Sequence, residues 1–205
     1  MRYLWCVNEL PNYDKGDKAQ IDGYFLGAFD PVCTSQALND IRNRNKARGV
    51  YMASNWPQFA GKTGKQMAQT MSARYQQLLV PGLRVQFDIE QHDPALIVEC
   101  LTTFRTLHPT AAVSLTVEGM QGGWLRGIAD TLMKLKVRVV PQAYWGAAGT
   151  MQGDWAADQI LLDLILPGSP GGPCFAPSSV SLFYDADHLP RGWQGYAFTQ
   201  ARLPA

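Results

Sequence analysis

The chain has 205 residues, of which 46% are hydrophobic and 17% are charged. This composition is typical of a globular protein rather than of a disordered or coiled-coil one, and the length suits a single domain over 1–205. The 18 basic and 17 acidic residues leave a net charge of +1. The sequence therefore lacks the basic footprint of a protein that binds nucleic acid or anionic membranes.

The first residues carry one arginine and then only about five apolar positions, whereas a signal peptide has roughly 7 to 15. No stretch approaches the ~20 apolar residues of a membrane span. We therefore expect a protein made in the cytoplasm, without membrane insertion. The four cysteines show no CxxC or Cys/His spacing, which predicts buried free thiols and neither metal nor cofactor.

Strand-like and helix-like periods alternate along the chain, as they do in parallel α/β folds. In chain order the predicted strands are 3–7, 24–29, 49–54, 84–89, 112–117, 137–144, 160–166 and 196–201. The predicted helices are 35–48, 63–79, 94–107 and 123–135. Thr34, Thr63 and Asp93 precede three of them as N-cap residues, and Pro94 follows the last of these at the first helical position.

The alternation weakens at both ends of the chain. Residues 9–22 are too short and too polar for a full helix, and residues 167–179 form a Pro/Gly/Ser loop. Segment 181–184 is an alternative to 160–166 as the seventh strand. Eight strands in this length predict a compact (β/α)8 TIM-type barrel, irregular in its first and last βα units. An open doubly wound sheet is the alternative, but no GxGxxG or GxxxxGK[ST] motif follows a strand.

The segment RVQFDIE, residues 84–90, places two carboxylates on one face of the fourth strand. Alternation sends Val85, Phe87 and Ile89 to one side. Asp88 and Glu90 point to the other side, at the end of the strand. Because removing carboxylates from water costs several kcal/mol each unless they are paired, such a pair indicates either acid/base chemistry or a buried polar network.

The carboxyl ends of barrel strands form the active face. Acids, amides and aromatic residues occur at these predicted ends, without arginine or lysine, and this set favours a sugar over a phosphate. The predicted catalytic residues are Glu90, Asp88 and Glu118, and the predicted substrate-binding residues are Asn8, Asp30, Asn55, Trp56, Gln142, Tyr144 and Trp145.

Several of these residues have simpler interpretations. Glu118 before a glycine and Asp30 before a proline also suit turn residues. Trp56 and Trp145 also suit core positions. Asp88 and Glu90 have α-carbons roughly 6.5 Å apart, a spacing that allows either the retaining or the inverting geometry of glycoside hydrolysis.

Three segments resemble glycoside hydrolase family 25, the lysozyme-like barrels. VQFDIE is similar to the family's D-x-E strand, RGVYMAS at 48–54 to its G-x-Y-H strand, and PQAYWG at 141–146 to its W-x-A-Q-Y strand. The resemblance implies that Glu90 is the general acid and that Asp88 helps the substrate's N-acetyl group act as nucleophile. Two positions depart from the family, because Asn8 and Glu9 stand at its first-strand aspartate and Met52 stands at its third-strand histidine.

Compact barrels of this kind also resemble proteins encoded with bacteriophage tail genes. That resemblance implies a minor tail protein in the virion, which binds cell-wall or surface glycan or neighbouring tail proteins. The alternative is an active muramidase-like enzyme that cleaves peptidoglycan with Glu90 as acid.

Overall fold

The computed structural model describes residues 2–18, 20–89, 93–118, 122–142, 174–175 and 195–198. Residues 2, 117–118, 122–124, 126, 141–142, 174–175 and 195–198 are described by their backbone alone. The strands are β1 Arg2–Cys6, β2 Gly23–Gly27, β3 Ala47–Ala53, β4 Arg84–Asp88, β5 Ala112–Glu118, β6 Arg138–Gln142, β7 Cys174–Phe175 and β8 Gly195–Phe198. The helices are α1 Tyr13–Lys18, α2 Ser35–Asn43, α3 Gly64–Leu78, α4 Pro94–Leu107 and α5 Gly122–Lys134, with a 3-10 turn at Pro57–Phe59.

All eight strands pair in parallel in one sheet, in the order β6-β5-β4-β3-β2-β1-β8-β7. The two ends of that order, β6 and β7, contact each other. A parallel sheet whose ends meet, with a helix after each of its first five strands, is a (β/α)8 barrel. The predicted fold class is confirmed.

Local capping chemistry fixes the best-predicted helices. Thr63 and Gln66 form a reciprocal capping box before α3, and Leu79 ends that helix in a left-handed conformation with φ 49°. Asp93 accepts from the N–H groups of Ala95 and Leu96 at the start of α4. The observed bounds of α4 are the predicted ones, and its start is fixed by Asp93 as N-cap and Pro94 at the first helical position.

The predicted helix 35–48 is too long at its C-terminal end. Helix α2 stops at Asn43, and Asn45 then adopts φ 56°, a left-handed conformation that ends a helix. Ala47 and Arg48 belong to β3, where Ala47 pairs with Gly23 of the neighbouring strand. Hydrogen bonds to β2 thus replace a helical continuation that local periodicity favoured.

The predicted loop 167–179 is also wrong in part, because Cys174–Phe175 is strand β7. Its register with β8 pairs Cys174 with Tyr196. Both candidate seventh strands, 160–166 and 181–184, lie outside the described residues. The short polar segment 9–22 contains the six-residue helix α1.

Two apolar layers hold the barrel together. The outer core lies between the sheet and the helices, and it contains the strand residues Leu4, Leu26, Val50, Met52, Phe87 and Leu115 with Leu38, Ile41, Met67 and Phe104 from the helices. The lumen cluster lies inside the sheet and consists of Tyr3, Trp5, Phe25, Tyr51 and Val140. Burying each large side chain contributes roughly 1.5–3 kcal/mol, so both layers matter for stability.

The lumen cluster depends on a glycine. Gly49 lies opposite Phe25 in the register of β2 and β3, and the ring of Phe25 covers the space that a Cβ at position 49 would need. Among the described residues, Cys6, Cys33 and Cys100 are free and buried. Burial raises the pKa of Cys33 to about 11 and of Cys100 to about 12. No helix in the described segments is long and apolar enough to cross a membrane.

Candidate functional site at the mouth of the barrel

Strand β4 carries Asp88 into the barrel mouth. Val85, Phe87 and Ile89 lie in the outer core, so the alternate residues Gln86 and Asp88 face the lumen. Gln86 is 0% exposed and Asp88 is 7% exposed. The N–H of Ser54 donates to the Asp88 carbonyl at 2.8 Å. On the other side of β4, the Thr116 hydroxyl donates to the Phe87 carbonyl at 3.0 Å. Neighbouring strands therefore hold the backbone that presents the Asp88 carboxyl group.

An aromatic column lines the lumen below and beside this carboxyl group. The rings of Trp5 and Tyr51 stack with centroids 4.7 Å apart and planes 8° from parallel. Trp56 lies 5.4 Å from Tyr51, and Phe29 meets Trp56 edge-on at 6.2 Å. Trp5 and Tyr51 are buried, whereas Trp56 is half-buried and Asn55 beside it is exposed. The column thus runs from the interior to the rim, where Trp56 is partly exposed.

Gln86 fixes the lower end of this column. The Trp5 indole N–H donates to Gln86 Oε1 at 2.9 Å. Because the indole nitrogen is only a donor, this contact assigns the amide orientation and leaves Nε2 as the free end. Within the described part of the chain, Gln86 Nε2 is buried without a hydrogen-bond acceptor. An amide donor is therefore held in the lumen two residues below Asp88.

Asp30 has a structural role at the ends of β1 and β2. The N–H of Asn8, which adopts φ 54°, donates to Asp30 Oδ2 at 2.8 Å. The N–H of Asp30 donates to the Gly27 carbonyl at 3.0 Å. The Asp30 carboxyl group fills the space that a Cβ at position 27 would occupy. This arrangement matches the turn interpretation of Asp30, while keeping its charge at the mouth.

The charges at the mouth act on Tyr51. Burial raises the pKa of the Tyr51 hydroxyl, and the carboxyl groups of Asp30 and Asp88 raise it further. The Tyr51 phenol therefore keeps its proton in the neutral pH range. A protonated phenol close to two acids is available as a hydrogen-bond donor.

The structure brings only part of the predicted site together. Asp88, Trp56, Asn55, Asp30 and Asn8 all follow or end strands β1 to β4 at the mouth. Glu118 and Gln142 end β5 and β6 and pair with each other in register. Their side chains are not described, and Glu90, Tyr144 and Trp145 lie outside the described residues.

Trp5, Tyr51 and Gln86 were not predicted as site residues. The alternation that selected Asp88 also applies to them, since each lies on the lumen face of its strand. Met52, at the position of the family histidine, lies in the outer core and faces the helices. Within the described segments, no group of three or more His, Cys, Asp and Glu residues is placed to hold a metal ion.

No protein-family model matches this chain, and no curated protein sequence matches it. Several solved structures, however, are similar to it in fold. The catalytic domain of a hyperthermophilic chitinase from Pyrococcus furiosus has a TM-score of 0.62 at 14% identity, over 96% of this chain and 82% of that one. The aldolase QR15 has a TM-score of 0.63 at 10% identity, over 99% and 91%.

Ega3 from Aspergillus fumigatus, solved in complex with galactosamine, has a TM-score of 0.57 at 9% identity, over 98% of this chain and 92% of that one. These similarities are to barrels, and they support the coarse expectation of a fold shared with glycoside hydrolases. Membership of family 25 stays a prediction. Because an aldolase shares the fold as closely as a chitinase does, the reaction has to be argued from the site.

Proposed function

We propose that the mouth of this barrel binds a glycan built from N-acetylated amino sugars. The observation that carries the proposal is the placement of Asp88, a buried lumen-facing carboxylate at the end of β4, close enough to Tyr51 to raise its pKa. Sugar sites combine polar groups for the hydroxyls with aromatic faces for the apolar side of the ring. The half-buried Trp56 supplies such a face.

Two of the similar solved structures suggest an amino sugar. A structure of the Pyrococcus furiosus chitinase domain was solved in complex with chito-oligosaccharides, and it has a TM-score of 0.63 at 14% identity to this chain. Ega3 was solved in complex with galactosamine. In our proposal Trp56 stacks on one sugar ring, and Asp88 accepts a hydrogen bond from the N–H of its acetamido group. Tyr51 donates to a carbonyl or hydroxyl oxygen of the same sugar.

A titration with a tetramer of N-acetylglucosamine tests the binding. Indole fluorescence and calorimetry both report occupancy, since Trp56 lies in the proposed site. We expect Asp88→Asn and Trp56→Leu each to weaken binding at least tenfold. Asp130→Asn is the matched control, because Asp130 is an exposed acid on α5. Equal affinity of the wild type and the Asp88 and Trp56 variants would contradict the proposal.

Hydrolysis by the same site is the second candidate, favoured by the burial of Asp88 two residues before Glu90. In this proposal Glu90 protonates the glycosidic oxygen as the bond to the anomeric carbon breaks. The acetamido oxygen, oriented by Asp88, attacks that carbon. Water then opens the resulting ring and returns a proton to Glu90.

Release of reducing ends from chito-oligosaccharides and from peptidoglycan tests hydrolysis. We expect Glu90→Gln to lower the rate by a factor of about 10²–10⁴, the usual contribution of a general acid. The melting temperature of this variant should stay near that of the wild type. Binding without cleavage by the wild type would assign the protein to glycan recognition, as the sequence resemblance to tail-encoded barrels implies.

The setting that we propose is the bacteriophage virion, where the barrel would bind host surface glycan or neighbouring tail proteins. This part of the proposal rests on the sequence resemblance alone. Mass spectrometry of purified particles tests it, with a non-structural protein of the same phage as the control. Absence of this chain from particles that contain the other tail proteins would rule it out.

A further inference from the structure

The loop between β2 and α2, residues 28–34, carries two residues to the mouth of the barrel. Phe29 meets the Trp56 ring edge-on, and the Asp30 carboxylate accepts from the N–H of Asn8. Both Phe29 and Asp30 are half-buried, so the core covers each of them only in part. The position of this loop therefore decides where an acid and an aromatic edge lie relative to Trp56.

Arg74 of α3 holds this loop from the helix layer. Its Nε donates to the Ala28 carbonyl at 2.6 Å, and its Nη2 donates to the Cys33 carbonyl at 2.5 Å. A planar guanidinium group presents its donors in a fixed fork, which suits two acceptors at once. Ala28 and Cys33 lie near the two ends of the loop, on either side of Phe29 and Asp30. One side chain thus fixes both ends of the segment that reaches the mouth.

The helix that carries Arg74 is itself firmly placed. The capping box of Thr63 and Gln66 fixes its start, and Met67 and Met71 pack in the outer core. Because Arg74 is half-buried, water screens its hydrogen bonds less than at a fully exposed surface. Hydrogen bonds from a charged donor are also stronger than those between neutral groups. Arg74 therefore joins the loop to a part of the fold that does not depend on the mouth.

We propose that Arg74 is a positioning residue for the glycan site, an inference that rests on the function proposed above. By holding the two loop carbonyls, Arg74 keeps Phe29 against Trp56 and the Asp30 carboxylate at the mouth before a sugar arrives. A loop that is already ordered loses little conformational freedom on binding, and the affinity for the glycan is higher for that reason. Arg74 acts through the loop and needs no contact with the sugar.

Titration with the tetramer of N-acetylglucosamine tests this role in Arg74→Met, which keeps an apolar side chain and removes the donors. We expect roughly fivefold weaker binding, since the loop then has to be ordered when the glycan binds. Arg74→Lys should bind with an intermediate affinity, because an ammonium group can donate to one carbonyl but lacks the planar fork. Arg74→Lys also carries the test if Arg74→Met does not fold.

Arg105→Met is the matched control. Arg105 is a half-buried arginine of α4 that also donates to loop carbonyls, with Nε 2.8 Å from the Leu135 oxygen and Nη1 2.5 Å from the Ala111 oxygen. These carbonyls precede β6 and β5, at the end of the barrel opposite the mouth. We expect Arg105→Met to lower the melting temperature about as much as Arg74→Met does. Its affinity for the glycan should equal that of the wild type.

Hydrogen exchange follows the loop without any ligand. The N–H of Asp30 donates to the Gly27 carbonyl and the N–H of Cys33 donates to the Asp30 carbonyl, each at 3.0 Å. We expect these two amides to exchange roughly tenfold faster in Arg74→Met and at the wild-type rate in Arg105→Met. Wild-type exchange in Arg74→Met would overturn the positioning role.

Failure of this inference and failure of the proposed function give different results. Binding by the wild type with equal affinity in Arg74→Met overturns the positioning role and leaves the proposed function standing. Equal weakening by Arg74→Met and Arg105→Met also overturns the positioning role, because a general loss of stability would then explain both. Absence of binding by the wild type overturns the proposed function, and with it the role of Arg74 in glycan binding.

Discussion

The two ends of strand β4 differ in chemistry, although both face the lumen of the barrel. The strand begins with Arg84, which donates to the Tyr3 hydroxyl, and it ends with Asp88 in the mouth. Four residues of extended chain separate their α-carbons by roughly 13 Å. The comparison shows that position along a strand, and not the face alone, decides which ligand a lumen residue can meet.

The lumen cluster separates the two ends. Trp5 and Tyr51 stack across the interior, and Gln86 ties the Trp5 indole to β4. Substitutions in the lumen cluster and at either end test this separation.

Trp5→Ala should have the largest effect. Trp5 is 1% exposed, and removing a buried tryptophan side chain costs about 3–5 kcal/mol. Urea unfolding followed by circular dichroism measures this loss. Trp56→Ala is the matched control at the half-buried rim, with an expected cost of about 1 kcal/mol. Equal losses would mean that the mouth and the interior do not differ in packing.

Gln86→Leu should destabilise the protein by about 1–2 kcal/mol. The substitution leaves the buried Trp5 N–H without its acceptor, and removal of the unpaired Nε2 offsets part of that cost. The same unfolding measurement applies. A variant as stable as the wild type would show that the Trp5 contact contributes nothing.

Gln86→Glu tests the electrostatics of the same position. It keeps an acceptor for Trp5 but places a second carboxyl group two residues from Asp88, and both burial and like charge raise the pKa of a carboxyl group. An acid whose pKa is raised by folding costs stability as the pH rises above its unfolded value of about 4.3. We therefore expect this variant to lose stability relative to the wild type between about pH 4 and 7. A constant difference across that range would contradict the prediction.

Substitutions at the two ends should act independently on glycan binding. Asp88→Asn should weaken glycan binding at least tenfold, while Arg84→Gln, at the other end of β4, should leave it unchanged. Titration of both variants with the N-acetylglucosamine tetramer measures this. The double variant should bind as weakly as Asp88→Asn alone, because distant sites without shared partners act independently. Weaker glycan binding by Arg84→Gln alone would mean that the lumen cluster couples the ends.

His108 should produce the smallest effect. Burial lowers the pKa of its imidazole, which lies 4.7 Å from the Tyr75 ring, and Nε2 is hydrogen-bonded to the Ser72 hydroxyl at 2.8 Å. A histidine whose pKa is lowered by folding contributes stability above its unfolded pKa of about 6.5, and that stability is lost as the pH falls. Because the group is partly exposed, we expect the melting temperature to fall by only about 1–2 °C between pH 7 and 5.5. His108→Gln should abolish this pH-dependent part, and an unchanged pH profile in that variant would contradict the assignment.

Local signals predicted much of the fold. The start of α4 follows from Asp93 and Pro94, and the outer and lumen faces of β4 follow from alternation along five residues. The predictions for the end of α2 and for residues 174–175 were wrong. Pairing of β3 with β2 determines the former, and pairing of β7 with β8 determines the latter. Those partners are distant in sequence, and a local pattern carries no information about them.

The candidate site also combines features that the sequence predicts with features that only the fold determines. The sequence by itself determined Asp88 as a carboxylate on the inner face of a strand, since side-chain alternation is a property of the extended backbone. Strand order decided which aromatic residues lie beside it, because β1 and β3 flank β2, and Trp5 and Tyr51 stack across that strand. Neighbours across a parallel barrel are set by strand order and register, and these are tertiary properties.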